Sequence, residues 1–319
     1  MSFSRSSREI LNFRNYIVNL FEEIRESLLN LMNLLRFLKR SQFRPAWQYS
    51  VRTFLWQIQT GSPNYLVGED RDPDERRATF FCLDRATGKP AWERLNPGDA
   101  WWIGIEAVEG TIALFHGFAS PDMPLHRGLT VVDLASGRVL WSNPDVRFLR
   151  LRATSVLVLK ESLERRVCLE LDLLTGLIVK ECGDSDKGIS AGVVLSPPGS
   201  SRAEVPHPFG HSDFSQPESP QAIRQIIPAD VVEGSAFVLL TSGFFVVSYC
   251  VPTSHRSEGA STVYTVLQVL RQRDGVPMYA DRTNVSTAAM MAEPFFVQNG
   301  VLYYVKQRST LVAVPLHAA

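Results

Sequence analysis

The sequence lacks the features that would mark a particular activity. Its 319 residues carry no excess charge, because 33 Lys and Arg residues balance 33 Asp and Glu residues. A neutral chain has no global field that attracts nucleic acid or an anionic membrane. The GxSxG, HExxH, P-loop and dinucleotide-binding motifs are also absent from the sequence. We therefore expect no cofactor and no nucleic-acid partner, and favour a protein without enzymatic activity.

Cysteine and clustered metal ligands are scarce as well. The four cysteines are scattered and form no CxxC motif: Cys82, Cys168, Cys182 and Cys250. This usage predicts buried thiols in a reducing, cytoplasmic compartment rather than a disulfide framework. His207, His211 and Asp213 lie close together in the sequence but lack a fourth ligand, so no metal site is predicted.

Glycine and proline are missing from residues 9–40, where apolar residues recur at helical spacing. The spacing predicts one long amphipathic helix within residues 1–42. Charged residues such as Arg14 and Glu22 would lie at mid-bilayer in a membrane span, so a span is not expected. The apolar stripe predicts docking to a protein partner or self-association, with peripheral membrane contact or packing on its own domain as alternatives. Its docking positions are Ile17, Leu20, Ile24, Leu31, Leu34 and Leu38.

Beyond residue 43 the sequence repeats a motif with an Asp, a Gly four residues later and a large side chain four residues after that. Copies occupy residues 80–92, 129–141, 168–180 and, in degenerate form, 267–279. The pattern predicts a hairpin in which Asp bonds to the turn backbone, Gly supplies a positive φ, and the aromatic packs on a neighbouring sheet. The predicted structural positions are Asp84, Gly88, Trp92, Asp133, Gly137, Trp141, Asp172, Gly176 and Trp47.

The motif L-D-x-x-T-G-x-x-x-W resembles the repeat of the pyrroloquinoline-quinone-type β-propellers. The chain also resembles an uncharacterised bacterial propeller family through its W-W-x-G-I-E and A-S-P-D-M-P-x-H-x-G stretches. This resemblance implies an all-β propeller of four-stranded antiparallel sheets, and it implies no known activity. Quinone-dependent dehydrogenases share the repeat, but their eight blades, paired cysteines and calcium site have no counterpart here.

The repeats predict five blades, at about 54–95, 100–143, 146–182, 186–282 and from residue 290 onward. The segment 44–50 matches the last strand of the first repeat, so it is predicted to close the ring within a propeller domain of residues 43–319. A Pro- and Ser-rich insertion spans 183–225. A sixth, degenerate blade within 183–230 is the alternative.

Candidate functional residues are polar or aromatic side chains in blade-two segments that depart from the repeat. They form a predicted axial ligand site: Trp102, Glu106, His116, Asp122, His126 and Arg127. Residues 116–128 are predicted to be an irregular loop, and the charged stretch 68–77 a solvated hairpin.

The favoured function is a non-enzymatic scaffold or interaction module that docks through its N-terminal helix. The alternative is a small-ligand-binding or glycoside-hydrolase-like propeller, in which two of Glu106, Asp122 and Glu293 would flank a sugar.

Overall fold

The fold is described by a computed structural model, which covers residues 42–120, 123–161, 165–182, 203–208, 223, 226–228, 231–257, 260–286 and 295–317. Its regular structure consists of strands. They are β1 (Trp47–Ser50), β2 (Phe54–Gln59), β3 (Tyr65–Asp72), β4 (Arg77–Asp84), β5 (Pro90–Leu95), β6 (Ile103–Glu109), β7 (Ile112–Ser120), β8 (Met123–Asp133), β9 (Val139–Asn143), β10 (Val146–Leu151), β11 (Ser155–Glu161), β12 (Arg166–Asp172), β13 (Ile178–Glu181), β14 (His207–Pro208), β15 (Phe237–Thr241), β16 (Phe244–Ser257), β17 (Ala260–Arg271), β18 (Pro277–Ser286), β19 (Phe295–Gln298), β20 (Val301–Lys306) and β21 (Thr310–Pro315).

These strands form five antiparallel sheets, four of which are connected as meanders in chain order. We number them as blades: blade 1 is β2–β5, blade 2 is β6–β9, blade 3 is β10–β13, and blade 4 is β14–β18. Blade 5 combines β19, β20 and β21 with the N-terminal β1. Blade 4 has five strands and the other blades have four. Repeated antiparallel meanders of this kind are the blade architecture of a β-propeller.

The predicted fold class is corrected in its helical part. It combined a propeller with a long N-terminal helix, whereas the described residues are all-β and have helical backbone only at Ile223 and Ile226. The predicted helix, including its six docking positions, lies outside the described residues. Apolar periodicity was its basis, and periodicity alone does not make a helix, because most helical stability comes from tertiary packing. Within the described part of the chain, no helix meets the length and hydropathy needed to cross a bilayer.

The chain divides into two compact units. The smaller unit contains blade 4. Its core packs Phe245, Val247 and Leu270 of the long strands against Ile223 and Ile227. The larger unit contains blades 1, 2, 3 and 5 and the candidate site.

Within the larger unit, shared hydrophobic clusters join neighbouring blades. Leu55 and Phe81 of blade 1 pack with Tyr303 and Leu311 of blade 5. Further clusters join blade 1 to blade 2 and blade 2 to blade 3. The blades of this unit therefore pack in the order 5, 1, 2, 3, with the last blade of the chain against the first.

The N-terminal strand completes the last blade. β1 runs antiparallel to β21, with Trp47 opposite Ala313 and Ser50 opposite Thr310. Both edge strands of blade 5 thus come from within the larger unit. Closure of a complete ring by this strand stays a prediction. In the range of the alternative sixth blade, the described residues contain only the two-residue strand β14, which joins blade 4.

The repeat residues build the turn that was predicted for them. In blade 3, the Asp172 carboxylate accepts hydrogen bonds from the Thr175 backbone N–H at 2.8 Å and the Thr175 hydroxyl at 2.7 Å. Gly176 then takes a φ of +70°, a conformation that favours glycine. Asp84 with Gly88 and Asp133 with Gly137 repeat the arrangement in blades 1 and 2.

Each repeat tryptophan reaches the turn of the next blade. The Trp141 indole N–H of blade 2 donates to the Leu173 carbonyl of blade 3 at 3.0 Å. Trp92 donates to the Leu134 carbonyl at 2.8 Å, and Trp47 to the Arg85 carbonyl at 3.0 Å. These tryptophans are half-buried and cover the turn glycines, because a Cβ added to Gly176 would lie 2.7 Å from the Trp141 ring.

The cysteine prediction is wrong for one pair. Cys168 and Cys182 form a disulfide with their Cα atoms 5.1 Å apart, whereas Cys82 and Cys250 are free and buried. The pairing arises because Leu169 of β12 lies opposite Glu181 of β13, which brings the adjacent cysteines face to face. Spacing in the sequence does not reveal this register.

Thiol titration tests the pairing. Protein purified without reductant and then denatured should expose two thiols, and reduced protein should expose four, because one pair is disulfide-bonded. Cys250→Ser should lower both counts by one. Cys182→Ser should lower the free energy of unfolding by about 3 kcal/mol, the usual contribution of a loop of this length. Four thiols in the unreduced, denatured protein would contradict the assignment.

Candidate functional site

The candidate site lies on a hairpin that the sequence analysis misassigned. Residues 116–128 were predicted to form an irregular loop, but 116–120 and 123–128 extend strands β7 and β8, in which Phe118 pairs with His126 and Ser120 with Met123. The long hairpin places His126 of β8 within reach of Glu106 of β6, across the intervening strand β7.

Glu106 occupies a β-bulge that recurs between blades. Ile105 pairs with Phe115 and Ala107 with Leu114, so Glu106 is the extra residue of β6. By the same register shift, Trp56 is the extra residue of β2 and Leu149 that of β10. A bulge re-aims its side chain, and bulges are frequent next to functional sites. The position is apolar in blades 1 and 3 and acidic only in blade 2 among these three.

Glu106, His116 and His126 form one polar cluster, which we call the blade-2 triad. One donor atom from each residue lies within 4.8 Å of the others. The His126 Nδ1 and the Glu106 Oε2 are 2.8 Å apart, and the His116 and His126 rings stack with centroids 3.4 Å apart. Glu106 and His116 are largely buried, whereas the His126 side chain is 41% exposed. The triad therefore offers two imidazoles and a carboxylate at an accessible edge.

The environment of His116 favours its neutral form. Burial is the main factor that lowers the pKa of this imidazole, and the neighbouring His126 lowers it further. The ring Nδ1 lies 3.1 Å from the Gly117 carbonyl oxygen. Since a carbonyl only accepts, Nδ1 carries the hydrogen and Nε2 keeps its lone pair in the neutral ring. His116 thus presents a hydrogen-bond acceptor from an otherwise apolar strand.

Gly104 makes room for the His116 ring. It is the cross-strand partner of His116, and a Cβ built on it would lie 2.8 Å from the His116 Nε2. Its φ lies outside the left-handed region, so the backbone does not require glycine here. The need for room for the His116 ring explains a glycine at this position.

Aromatic and basic residues surround the triad. Phe118 lies with its ring centroid 5.0 Å from that of His116, and Trp102 lies 5.9 Å from Phe118. The buried Glu69 carboxylate pairs with the Arg71 guanidinium, which also donates to the Trp101 carbonyl at 3.1 Å. Burial raises the pKa of Glu69, against the influence of Arg71. The solvated hairpin predicted at 68–77 therefore contains a buried ion pair, which adjacent charges in the sequence do not reveal.

The remaining predicted site residues lie apart from the triad or outside the described residues. Arg127 points its guanidinium toward Asp145, at 3.7 Å on the surface. Trp102 precedes β6, where its backbone N–H donates to the Asp99 carboxylate at 2.7 Å. Asp122, Glu293, His211 and Asp213 lie outside the described residues. Three of the six predicted ligand residues thus meet, while Trp102 contributes to the aromatic wall.

A separate cavity of about 310 Å³ opens between β1 and blade 1. Its polar lining residues are largely engaged with one another. The Thr53 hydroxyl donates to Asp70 at 2.7 Å, Arg77 pairs with Glu75 at 3.3 Å, and the Tyr49 hydroxyl donates to Glu93 at 3.3 Å. Burial and Glu93 raise the pKa of Tyr49, so the phenol stays protonated. These three pairs account for six of the polar residues that line the cavity.

Comparison with known sequences gives one family match. Residues 60–141 match the family described as Domain of unknown function (DUF4905). This range includes all three residues of the triad. No curated protein sequence matches the chain significantly.

Solved structures resemble the chain only distantly. Hydrazine synthase from Kuenenia stuttgartiensis is 9% identical with a TM-score of 0.24, over 78% of this chain and 65% of that one. The acylaminoacyl peptidase from Pyrococcus horikoshii is 10% identical with a TM-score of 0.28, and 80% of this chain covers 36% of it. The β-propeller domain of the Trilobed protease from Pyrococcus furiosus is 8% identical with a TM-score of 0.27, over 80% and 78% of the two chains. Similarities at this level carry no argument about the activity of this chain.

Proposed function

We propose that this protein is a β-propeller that acts by binding a small polar ligand, and that the blade-2 triad is the binding site. The observation that carries the proposal is the convergence of Glu106, His116 and His126 within 4.8 Å. A carboxylate and two imidazoles in a partly buried site are costly to bury unless they are paired or bind something. Their exposed side, formed by His126, gives a ligand access.

Binding without hydrolysis fits the triad better than the glycoside-hydrolase alternative. Glycosidases need two carboxylates about 5–10 Å apart, one of which works as an acid. Within the part of the chain that the structure describes, Glu106 is hydrogen-bonded to a histidine and does not face a second carboxylate. The nearby Glu69 is buried and paired with Arg71, so it is not available to a sugar. A scaffold role toward other proteins is compatible with the same fold, but no contact of the described residues favours it.

A thermal-shift screen tests the proposal. Wild-type protein, Glu106→Gln and Arg127→Ala would be heated with a panel of small carboxylates, amines, amino acids and monosaccharides. We expect at least one compound to raise the Tm of the wild type and of Arg127→Ala but not that of Glu106→Gln. Arg127 is a matched control, because it adjoins His126 in sequence but pairs with Asp145 on the surface. A Tm shift arises because a ligand that binds only the folded state stabilises it.

Two results would contradict the proposal. One is a panel in which no compound stabilises the wild type, or in which every hit stabilises Glu106→Gln equally. The other is turnover of aryl glycosides by the wild type that Glu106→Gln abolishes, which would establish the hydrolase alternative instead.

A further inference from the structure

We propose that the blade-2 triad binds a divalent transition-metal ion, with Zn²⁺ as its preferred probe. This inference rests on the proposed function, because it names the chemical class of the ligand. The sequence predicts no metal site, although it places Glu106, His116 and His126 among the candidate ligand-binding residues. The β6–β7–β8 register brings these three side chains together.

The donor set selects the class of ion. Two imidazole nitrogens and one carboxylate oxygen form the ligand set that proteins use for Zn²⁺ and for other first-row divalent ions such as Fe²⁺. Ca²⁺ and Mg²⁺ prefer sets made of oxygen atoms, and the triad contains only one oxygen-donating side chain. Three protein ligands leave further coordination positions open to water or a small anion.

His116 is held as metal-binding histidines usually are. Such histidines commonly donate their second ring N–H to a backbone carbonyl, which fixes the tautomer and orients the free nitrogen. The His116 Nδ1 is bonded to the Gly117 carbonyl at 3.1 Å, and this leaves Nε2 as the donor atom. Gly104 makes room for the imidazole in this orientation, because a Cβ at that position would lie 2.8 Å from Nε2. The hydrogen bond and the glycine together hold the ring as a metal-binding histidine is held.

His126 must move for all three donors to reach one ion. Its ring lies parallel to that of His116, with 10° between the planes and 3.4 Å between the centroids. A nitrogen lone pair lies in the plane of its ring, so two stacked rings cannot both direct lone pairs at the same ion. Because the His126 side chain is 41% exposed, it can turn out of the stack without opening the core. Metal binding should therefore separate the two rings.

Calorimetry with the metal alone tests the inference. Tag-free, full-length protein would be titrated with Zn²⁺, and with Co²⁺ to follow its visible d–d absorption. We expect one ion per chain and a tetrahedral or five-coordinate Co²⁺ spectrum. His116→Gln and Glu106→Gln should weaken binding by at least about 100-fold, since loss of a supporting group alone costs about 10–100-fold. His207→Ala is the matched control, because this exposed histidine lies in β14 of the other unit and should leave the affinity unchanged.

A second variant keeps the test independent of folding. His126→Gln changes a half-exposed residue, so its Tm without metal should match that of the wild type while Zn²⁺ affinity falls. Absence of Zn²⁺ and Co²⁺ binding by the wild type, or binding that all three triad variants retain, would overturn the inference. If organic ligands from the thermal-shift screen still depend on Glu106 in that case, the proposed binding function stands and only its metal is wrong. If neither metal nor organic ligand binds, both proposals fail.

Discussion

Trp141→Ala should lower the free energy of unfolding by about 3 kcal/mol, within the range of large-to-small aromatic changes. The indole of this residue packs in the cluster that joins blades 2 and 3. It also donates a hydrogen bond to the Leu173 carbonyl at 3.0 Å and covers Gly176. Truncation removes apolar contact and leaves that carbonyl without its indole donor. Urea unfolding followed by circular dichroism measures the loss.

Trp56→Ala provides the control for this effect. Trp56 is 65% exposed and occupies the bulge of β2 rather than a repeat position. Its truncation should change stability by no more than about 0.5 kcal/mol, as is usual for surface residues. Equal losses in the two variants would mean that the repeat tryptophan does not join the blades. Trp92→Ala should behave like Trp141→Ala, because its indole makes the same bond to Leu134.

Arg85→Ala should destabilise the protein by about 3–4 kcal/mol. The Arg85 guanidinium is buried at the junction of blades 1 and 5, where it donates to the Ser62 carbonyl at 2.8 Å and to the Gln298 side chain. It also donates to the carbonyls of Thr60 and Tyr65, both at 3.2 Å. A buried acceptor that loses its donor costs about 1–3 kcal/mol, and several acceptors here share one donor group.

Arg138→Ala is the matched control, because Arg138 is an exposed arginine in the equivalent turn of blade 2. Its truncation should be close to neutral. The same urea experiment compares the two variants. A loss below about 1 kcal/mol for Arg85→Ala would show that water replaces the guanidinium, and that the junction does not depend on it.

The repeat was readable from the sequence because its chemistry is local. A side chain that bonds to the turn three residues later, as Asp172 does to Thr175, needs no distant partner. The same holds for the positive φ of Gly176. Hence the strand meanders and the turn residues could be predicted. The aromatic character of the tryptophans indicated that they pack on a neighbouring sheet. The carbonyl to which each indole donates belongs to the next blade, so the repeat alone did not identify it.

The N-terminal prediction shows the limit of periodicity. A 3-4 pattern of apolar residues indicates which face would be buried, but not what covers that face. The sequence therefore does not identify a surface against which the predicted helix would pack. The described part of the protein is all-β. The cysteines show the same limit, because Cys168 and Cys182 meet only through the register of β12 and β13.

The strand meanders, the turn chemistry and the segments in which blade 2 departs from the repeat could all be predicted from the order of the residues. Tertiary structure decided which of the candidate residues meet. Glu106 reaches His126 because a bulge re-aims one side chain and a long hairpin returns the other, and Arg127 on the next residue points away to Asp145. Bulges and registers are set by pairing between strands, so they depend on residues distant in the chain. Local propensity and spacing do not contain that information.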